Sequence, residues 1–191
     1  MMTRHKHAYV LNVMSADHPG IVAAVSNTVE GRTGNIDAAS QTVLEGYFTL
    51  IMIVSFPEPI NPNELAEEIS SVNTSSFQVS VRKFETAQQT KPGPVPERFV
   101  ITAFGKDREG IIRQFSAYLA GKDINIVDLY GNRQEDRFVL ISQVEIPSQW
   151  EIALLQADLQ ELGRELGFTV RLQHENVFVA TNQLRMTRLA E

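Results

Sequence analysis

The sequence predicts an α+β protein of two consecutive units, each an antiparallel four-stranded sheet with two helices on one face. The first observation behind this class is a repeat, because residues 10–54 recur at 100–144 without a gap. The second is periodicity, since alternating and helical apolar patterns follow each other in the order β-α-β-β-α-β. The third is length, because 191 residues suit one or two domains. A repeat of this size decides for two.

The repeat divides the chain into a first unit, a proline-rich linker, a second unit and an extension beyond the repeat. These regions are 7–85, 86–97, 98–174 and 175–191. The proline content predicts a semi-stiff linker rather than a flexible one. In the extension, Val177, Phe178 and Val179 are expected to add a short strand or to dock on the sheet.

The first unit opens with a strand and a helix. Residues 8–14 alternate between apolar and other side chains, which is a strand pattern. Asp17 is a candidate N-cap, and Pro19 lies in the predicted first turn of the helix. Apolar residues then follow at helical spacing, namely Ile21, Val25 and Val29. Gly31 and Gly34 are predicted to end this helix.

The remaining elements of the first unit are a hairpin, a second helix and a closing strand. Glu45-Gly46 predicts a tight turn between strands at 36–44 and 47–56. A proline loop precedes a helix at 64–72 and a strand at 77–84, and its prolines are Pro57, Pro59 and Pro62. The second unit repeats this order, with strands at 99–104, 124–132, 138–146 and 168–173 and helices over Ile111, Phe115, Leu119 and at 149–166. Trp150 is expected to pack at the start of that last helix.

Charge, cysteine content and the absence of known motifs exclude several classes of function. The net charge is −6 and no basic cluster is present, so we expect no direct binding of nucleic acid, whose affinity depends largely on phosphate neutralisation. The chain has no cysteine, which fits a cytoplasmic protein, and no apolar run long enough to cross a membrane. Catalytic, phosphate-binding and metal-binding motifs are absent from the sequence, so we expect neither an enzyme nor a cofactor.

Two copies of one loop are the candidate functional site. Asp17-His18-Pro19-Gly20-Ile21 recurs as Asp107-Arg108-Glu109-Gly110-Ile111, and Asn35-Ile36 recurs as Asn125-Ile126. The first turn of a helix presents unpaired N–H groups and a partial positive charge, which suit a carboxylate, and glycine allows close approach. An aspartate could receive an ammonium group. The asparagines, placed where the helix leads into the second strand, are expected to reach the same ligand. This combination suits an amino acid.

Each of these residues also has a purely structural interpretation. Asp17 and Asp107 could serve only as helix N-caps. Gly20 and Gly110 could serve helix-on-sheet packing, and the asparagines could be present because they tolerate a left-handed turn. His18 is interpreted as an exposed loop residue or as a ligand contact.

The β-α-β-β-α-β order, the two Asp-x-x-Gly-Ile motifs and the two Asn-Ile segments resemble tandem ACT domains. The resemblance covers nearly all of residues 7–174, and the arrangement of two such domains is similar to the glycine cleavage system regulatory protein group. It implies a ferredoxin-like fold and the binding of small molecules, usually amino acids, between paired domains. The candidate ligand-binding residues that it implies are Asp17, His18, Pro19, Gly20, Ile21, Asn35, Ile36, Asp107, Gly110, Ile111, Asn125 and Ile126. Glu109 and Ile124 replace Pro19 and Gly34, so the first copy is the closer match.

Three functions remain open. The first is a regulatory protein that binds an amino acid, forms a homodimer and signals to a protein partner, with any effect on transcription being indirect. The second is a ferredoxin-like RNA-binding module, in which Tyr47, Phe48 and Phe138 would stack on bases. The third is an interaction scaffold that binds no small molecule.

Overall fold

The computed structural model describes residues 2–72, 77–85 and 96–180. The chain forms two compact units, Met1–Gln88 and Gln89–Glu191. Each has the element order β-α-β-β-α-β, which confirms the predicted class. Residues 86–95 of the predicted linker and 181–191 of the extension lie outside the described ranges. Among the described residues, no helix is long and apolar enough to cross a membrane.

The first unit follows the predicted order closely. Its elements are β1 (His7–Ala16), α1 (Ile21–Gly31), β2 (Asn35–Leu44), β3 (Tyr47–Phe56), α2 (Pro62–Ser71) and β4 (Gln78–Lys83). Glu45 and Gly46 both have positive φ, 50° and 81°, as the two-residue turn between β2 and β3 requires. Pro62 was wrongly placed in the loop, because it is the first residue of α2. Asn61 caps that helix by accepting the Asn63 N–H at 3.0 Å.

The sheet of the first unit has the order β2-β3-β1-β4, and every pair is antiparallel. β1 therefore lies in the interior of the sheet, while β2 and β4 are its edges. A bulge interrupts the β2–β3 ladder between Ile36 and Ala38, which leaves Asp37 unpaired in the register.

One face of this sheet carries the core. Side chains from alternate positions of β1 and β3 are buried with the inner residues of the helices, among them Leu11, Val13, Leu50, Ile21, Val25 and Leu65. This pattern confirms the two-residue and helical periodicities read from the sequence. The opposite sheet face is the more exposed one, where Ile51 keeps 47% of its surface accessible.

The second unit repeats the architecture, with sheet order β6-β7-β5-β8. Its elements are β5 (Glu97–Lys106), α3 (Ile111–Gly121), β6 (Asn125–Gln134), β7 (Arg137–Ile146), α4 (Ile152–Leu166) and β8 (Phe168–His174). The start of α4 was predicted three residues too early. Residues 175–180 form a short helix, so the alternative of an added strand over Val177–Val179 was wrong.

Trp150 packs before α4, as predicted, and holds the end of α3. Its ring lies against the core, and its Nε1–H donates to the Lys122 carbonyl at 2.8 Å. The Lys122 ammonium lies 4.5 Å from the centre of the same ring and 3.1 Å from the carboxylate of Asp158 on α4. Lys122 thus joins the two helices by a cation–π contact and an ion pair.

The two cores differ at one pair of neighbouring positions. The first unit has a glycine and a phenylalanine there, and the second unit has two isoleucines. A Cβ built on Gly34 would lie 2.5 Å from the Phe56 ring and 2.8 Å from the Val29 carbonyl oxygen. At the equivalent positions of the second unit, Ile124 and Ile146 are both buried. Gly34 is therefore required because Phe56 fills the space that the Ile124 side chain occupies in the second core.

Candidate functional site

The loop between β1 and α1 places a glycine at the start of the helix. Gly20 has φ 97°, and α1 begins at Ile21. In the second unit Gly110 has φ 79°, and α3 begins at Ile111. Positive φ favours glycine, so this conformation explains both residues.

The predicted helix caps were wrong in both loops. No side chain accepts a hydrogen bond at the start of α1 or α3, and Pro19 precedes the helix instead of lying in its first turn. Asp17 instead donates its backbone N–H to the Gly46 carbonyl at 2.8 Å, which ties the loop to the β2–β3 turn. Asp107 makes the equivalent bond to the Asp136 carbonyl. The carboxylates are thus not consumed in capping.

Backbone donors at the start of α1 face open space. Ala24 N–H makes the first intrahelical bond, to the Gly20 carbonyl at 2.9 Å, and the N–H groups before it have no helical acceptor. A Cβ built on Gly20 would meet no atom within 4 Å, so it does not serve helix-on-sheet packing. Ile21 is buried, so only its backbone is available to a ligand. A cavity of about 150 Å³ lies at this end of the sheet, lined by Met14, Ser15, Ala16, Tyr47 and Gln78.

The second loop has cationic side chains that the first lacks. A Cβ on Gly110 would lie 3.8 Å from Arg113 Nε and 3.9 Å from Gln114 Nε2. Asp107 Oδ2 lies 3.0 Å from Arg133 Nε, so this aspartate is paired. The residues equivalent to Arg113, Gln114 and Arg133 in the first unit are Ala23, Ala24 and Val43. The two helix starts share a backbone conformation but differ in charge.

The asparagines lie far from the loops of their own units. Asn35 pairs with Ser55 at one end of the sheet, where His7 pairs with Phe56. Asp17 follows Ala16, which pairs with Tyr47 at the other end. With about 3.3 Å per strand residue, the separation is about 30 Å. The expectation that Asn35 reaches the ligand of its own loop was therefore wrong, and the register of Asn125 gives the same result.

Asn35 belongs instead to a polar cluster with the segment before β1. Its Nδ2–H donates to Asp37 Oδ1 at 2.9 Å, and the Arg4 backbone N–H donates to the same oxygen at 2.8 Å. Arg4 Nη1 lies 3.4 Å from Asn35 Oδ1, and the His5 N–H donates to Ser55 Oγ at 3.1 Å. Neither asparagine occupies a left-handed turn, because Thr33 and Asp123 take the positive φ.

Asp37 has a lowered pKa in this cluster. Its partial burial acts to raise the pKa, but hydrogen bonds from Ser55, the Arg4 N–H and Asn35, with the charge of His5, outweigh burial. Its second oxygen, Oδ2, is buried without a hydrogen-bond partner in the described part of the chain. The carboxylate is therefore ionised and holds the segment before β1 against the start of β2.

The remaining predicted residues, which lie beside the loops or the asparagines, differ in burial and in the contacts that they make. His18 is half-buried and stacks on Phe77, with ring centres 6.2 Å apart. Ile36 is exposed on the edge strand, while Ile126 packs against the second core. The structure thus brings together residues 17–21 in one unit and 107–111 in the other, and it separates both from the Asn-Ile segments.

The positions of the aromatic residues argue against the RNA-binding alternative. An RNA platform needs its aromatic side chains on the open sheet face. Phe48 is buried in the core on the helix side, and Phe138 packs against the second core. Tyr47 is exposed, but a single tyrosine at the end of a strand does not form such a platform.

Comparison with known proteins decides the family. The ACT domain family model matches residues 7–79 and 97–173. The chain belongs to the ACT domain family. Each match corresponds to one of the two units, so the protein is a tandem ACT-domain protein with a ferredoxin-like fold in both.

The relatives of this ACT-domain protein include shorter proteins of about one unit. A UPF0237 protein of Methanosarcina acetivorans is 35% identical over 82 residues, which are 42% of this chain and 89% of that protein. A UPF0237 protein of Methanococcus maripaludis is 37% identical over 83 residues, or 43% and 92% of the two chains.

Two solved structures match both ACT domains. An unknown protein from Galdieria sulphuraria has a TM-score of 0.72 at 24% identity, covering 88% of this chain and 98% of that one. A candidate glycine cleavage system transcriptional repressor has a TM-score of 0.61 at 16% identity, covering 87% and 96%. At these identities the likeness shows the fold. Membership of the ACT family supports a regulatory role that involves binding a small molecule.

Several residues of the candidate sites were missed from the sequence. Arg113 was not among the candidate residues, because the sequence shows no basic cluster, although its position three after Gly110 places it over the helix start. Asp37 and Ser55 gave no signal, because their proximity depends on the bulge and on the strand register.

Proposed function

We propose that this protein is a regulatory sensor in which the starts of α1 and α3 bind the carboxylate of an amino acid. The observation that carries the proposal is the positive-φ glycine at each helix start, with backbone donors that no side chain caps. Such a site combines N–H donors with the positive end of the helix dipole. In the second unit, Arg113 adds a guanidinium that suits the same carboxylate.

The ammonium group needs an acceptor, and Asp17 supplies one in the first loop. Its side chain does not cap the helix, whereas Asp107 is already paired with Arg133. We therefore infer that the first site suits a zwitterionic amino acid and that the second favours a more acidic ligand.

A second copy of the chain would bring Asn35 to such a site. β2 is an edge strand, and Ile36, Val43 and Leu44 on it are exposed. Antiparallel pairing of β2 with β2 of a second chain places the beginning of one strand beside the end of the other. Asn35 of one chain would then lie near the loop at Gly20 of its partner. The two residues could thus contact one ligand, although about 30 Å separates them within one unit.

Ligand binding would change the geometry or stability of this pairing, and a protein partner would read the change. An effect on gene expression would be indirect, because a net charge of −6 disfavours contact with phosphates. The glycine cleavage type of regulation is one candidate pathway for such an indirect effect.

A thermal-shift screen of amino acids on the full chain tests the sensor. A ligand at about 100 times its Kd is expected to add roughly 2.7 kcal/mol of stability, and the corresponding amino-acid amide is expected to add much less. Gly20→Asn keeps a residue that tolerates positive φ but fills the open space, so it should abolish binding at the first loop. Gly167→Asn is the matched control, because Gly167 also has positive φ and open space around its Cβ position but lies after α4, outside both loops.

Complementation tests the shared site. Chains with Asn35→Ala and chains with Gly20→Asn should each lose first-unit binding, monitored at the Ile21 and Ile36 methyl resonances. In an equimolar mixture that exchanges subunits freely, about half of the dimers are heterodimers. One of the two first-unit sites in each heterodimer combines the intact Gly20 loop with an intact Asn35, so mixing should restore about a quarter of the sites. Binding that is not restored would refute the shared site. An intact fold with no amino-acid response at either loop would favour the scaffold alternative.

A further inference from the structure

The open face of the second sheet carries a cavity that is separate from both loops. It has a volume of about 260 Å³ and lies between the sheet and the short helix at 175–180. Its lining residues are Val100, Asp128, Tyr130, Ile141, Gln143, Glu175, Phe178 and Val179. This volume is slightly below the range of drug-sized ligand pockets, so the cavity suits a smaller molecule.

The strand register builds the floor of this cavity. Gln143 pairs with Val100 on one side and with Asp128 on the other, so these three side chains form one row across the sheet. Ile141 pairs with Tyr130 in the next row. Alternation places all five on the face opposite the core residues of the same strands.

The short helix covers part of this floor. The core lies on the helix side of the sheet, and Val100 lies on the opposite face. Val100 is nevertheless only 6% exposed. Phe178 and Val179 line the cavity from above, and Gln143 Nε2 donates to Glu175 Oε1. The result is a floor of mixed polarity with an aromatic and aliphatic wall, formed by residues that are far apart in the sequence.

Among the described residues, the charged groups that line the cavity are two carboxylates. Asp128 uses one oxygen to accept the Leu129 N–H at 2.9 Å, and Glu175 uses one oxygen for Gln143, so each has a second oxygen for a ligand. In the described part of the chain, the basic residues of this sheet face are Arg98, Lys106, Arg137 and Arg171, and none of them lines the cavity. An ammonium group is favoured here, and a carboxylate is repelled.

The first unit does not repeat this arrangement. Its equivalents of three polar lining residues, Asp128, Tyr130 and Gln143, are Ala38, Ser40 and Ile53. The site is therefore a property of the second unit and not of the repeated fold.

We propose that this cavity binds a small primary amine with a short apolar body. The ammonium group would lie between Asp128 and Glu175, with additional attraction from the Tyr130 ring, while the apolar body packs on Val100 and Ile141. This selectivity is the opposite of that proposed for the helix starts, because a free amino acid would bring its carboxylate close to two others.

Three probes with the same branched body test the proposal on the full chain. Isopentylamine carries only the ammonium group, isopentanol is neutral, and leucine carries both ammonium and carboxylate groups. Isopentylamine is expected to bind with a Kd on the order of 1 mM and to shift the methyl resonances of Val100, Ile141 and Val179 saturably. Isopentanol and leucine are expected to shift them several-fold more weakly. Equal affinity for the three probes, or shifts confined to other residues, would overturn the proposal.

Matched variants separate this site from general charge effects. Asp128→Asn and Glu175→Gln keep the side-chain shape, and each should weaken the binding of isopentylamine about two- to five-fold. Phe178→Ala removes part of the wall and should also weaken it. Glu165→Gln removes one carboxylate from an exposed position on α4, outside the cavity, and should leave the affinity unchanged. If Glu165→Gln weakens binding as much as Glu175→Gln, the two carboxylates do not form the site.

Discussion

Replacing Gly34 by isoleucine should destabilise the first unit specifically. The backbone does not require glycine here, because its φ lies outside the left-handed region, so the constraint is steric. A Cβ would lie 2.5 Å from the Phe56 ring, well inside the 3.4 Å at which ordinary contact begins. Overpacking of this kind typically costs about 1–3 kcal/mol, and the further atoms of isoleucine place Gly34→Ile at about 2–3 kcal/mol.

The second unit supplies the compensating change. Phe56→Ile alone leaves a gap and is expected to cost about 1–3 kcal/mol, while the double variant recreates the pair that the second unit has in Ile124 and Ile146. The two substitutions should therefore couple favourably by at least about 1 kcal/mol in a double-mutant cycle.

Amide hydrogen exchange measures both effects in the full chain. Protection in β1 and β3 should fall in Gly34→Ile and recover partly in the double variant, while β5 and β7 provide an internal control. A cost below about 0.5 kcal/mol for Gly34→Ile, or a double variant as unstable as the sum of the singles, would refute the steric argument.

Three further predictions concern single contacts. Because the Asp37 pKa is lowered in the folded state, its stabilisation is present above the unfolded pKa of about 3.9 and is lost as pH falls through the folded pKa. The stability difference between wild type and Asp37→Asn in urea titrations should thus shrink as the pH falls from neutral through the unfolded pKa and below it, and a constant difference would contradict this prediction. Asn61→Ala should cost about 1 kcal/mol by removing the α2 cap, seen as faster exchange in α2 but not in α1. Lys122→Gln should cost about 0.5–1 kcal/mol and change the emission of Trp150, the single tryptophan; unchanged emission would exclude the ring contact.

The sequence predicted the elements because their patterns are local or repeated. Alternation identified β1, and the content of strand-forming residues identified β3. The Glu45-Gly46 turn was located because two residues between strands leave few conformations. The start of α1 was misread for a physical reason. Asp17 and Pro19 resemble a cap and a first-turn proline, but Gly20 takes a left-handed conformation and begins the helix later.

The candidate site was only partly predictable, because its geometry depends on how far apart its residues lie along the strands of the sheet. Asn35 follows α1 closely in sequence, yet α1 runs back along the sheet before β2 begins. A helix of 11 residues covers about 16 Å, and the loops at its two ends bring the chain to the opposite end of β1. Sequence proximity therefore suggested a shared site that the register excludes within one unit.

The bulge in β2 has a consequence for self-association beyond the sensor. An exposed edge strand is a template for uncontrolled strand addition, and β2 has apolar side chains at its far end. Asp37 is itself the unpaired residue of the bulge, so an ionised carboxylate lies where the ladder is interrupted. A partner strand can extend regularly only along 38–44, so the edge should resist amyloid-like stacking. Deleting Asp37 would restore a continuous edge and should make the protein aggregate at concentrations that the natural chain tolerates.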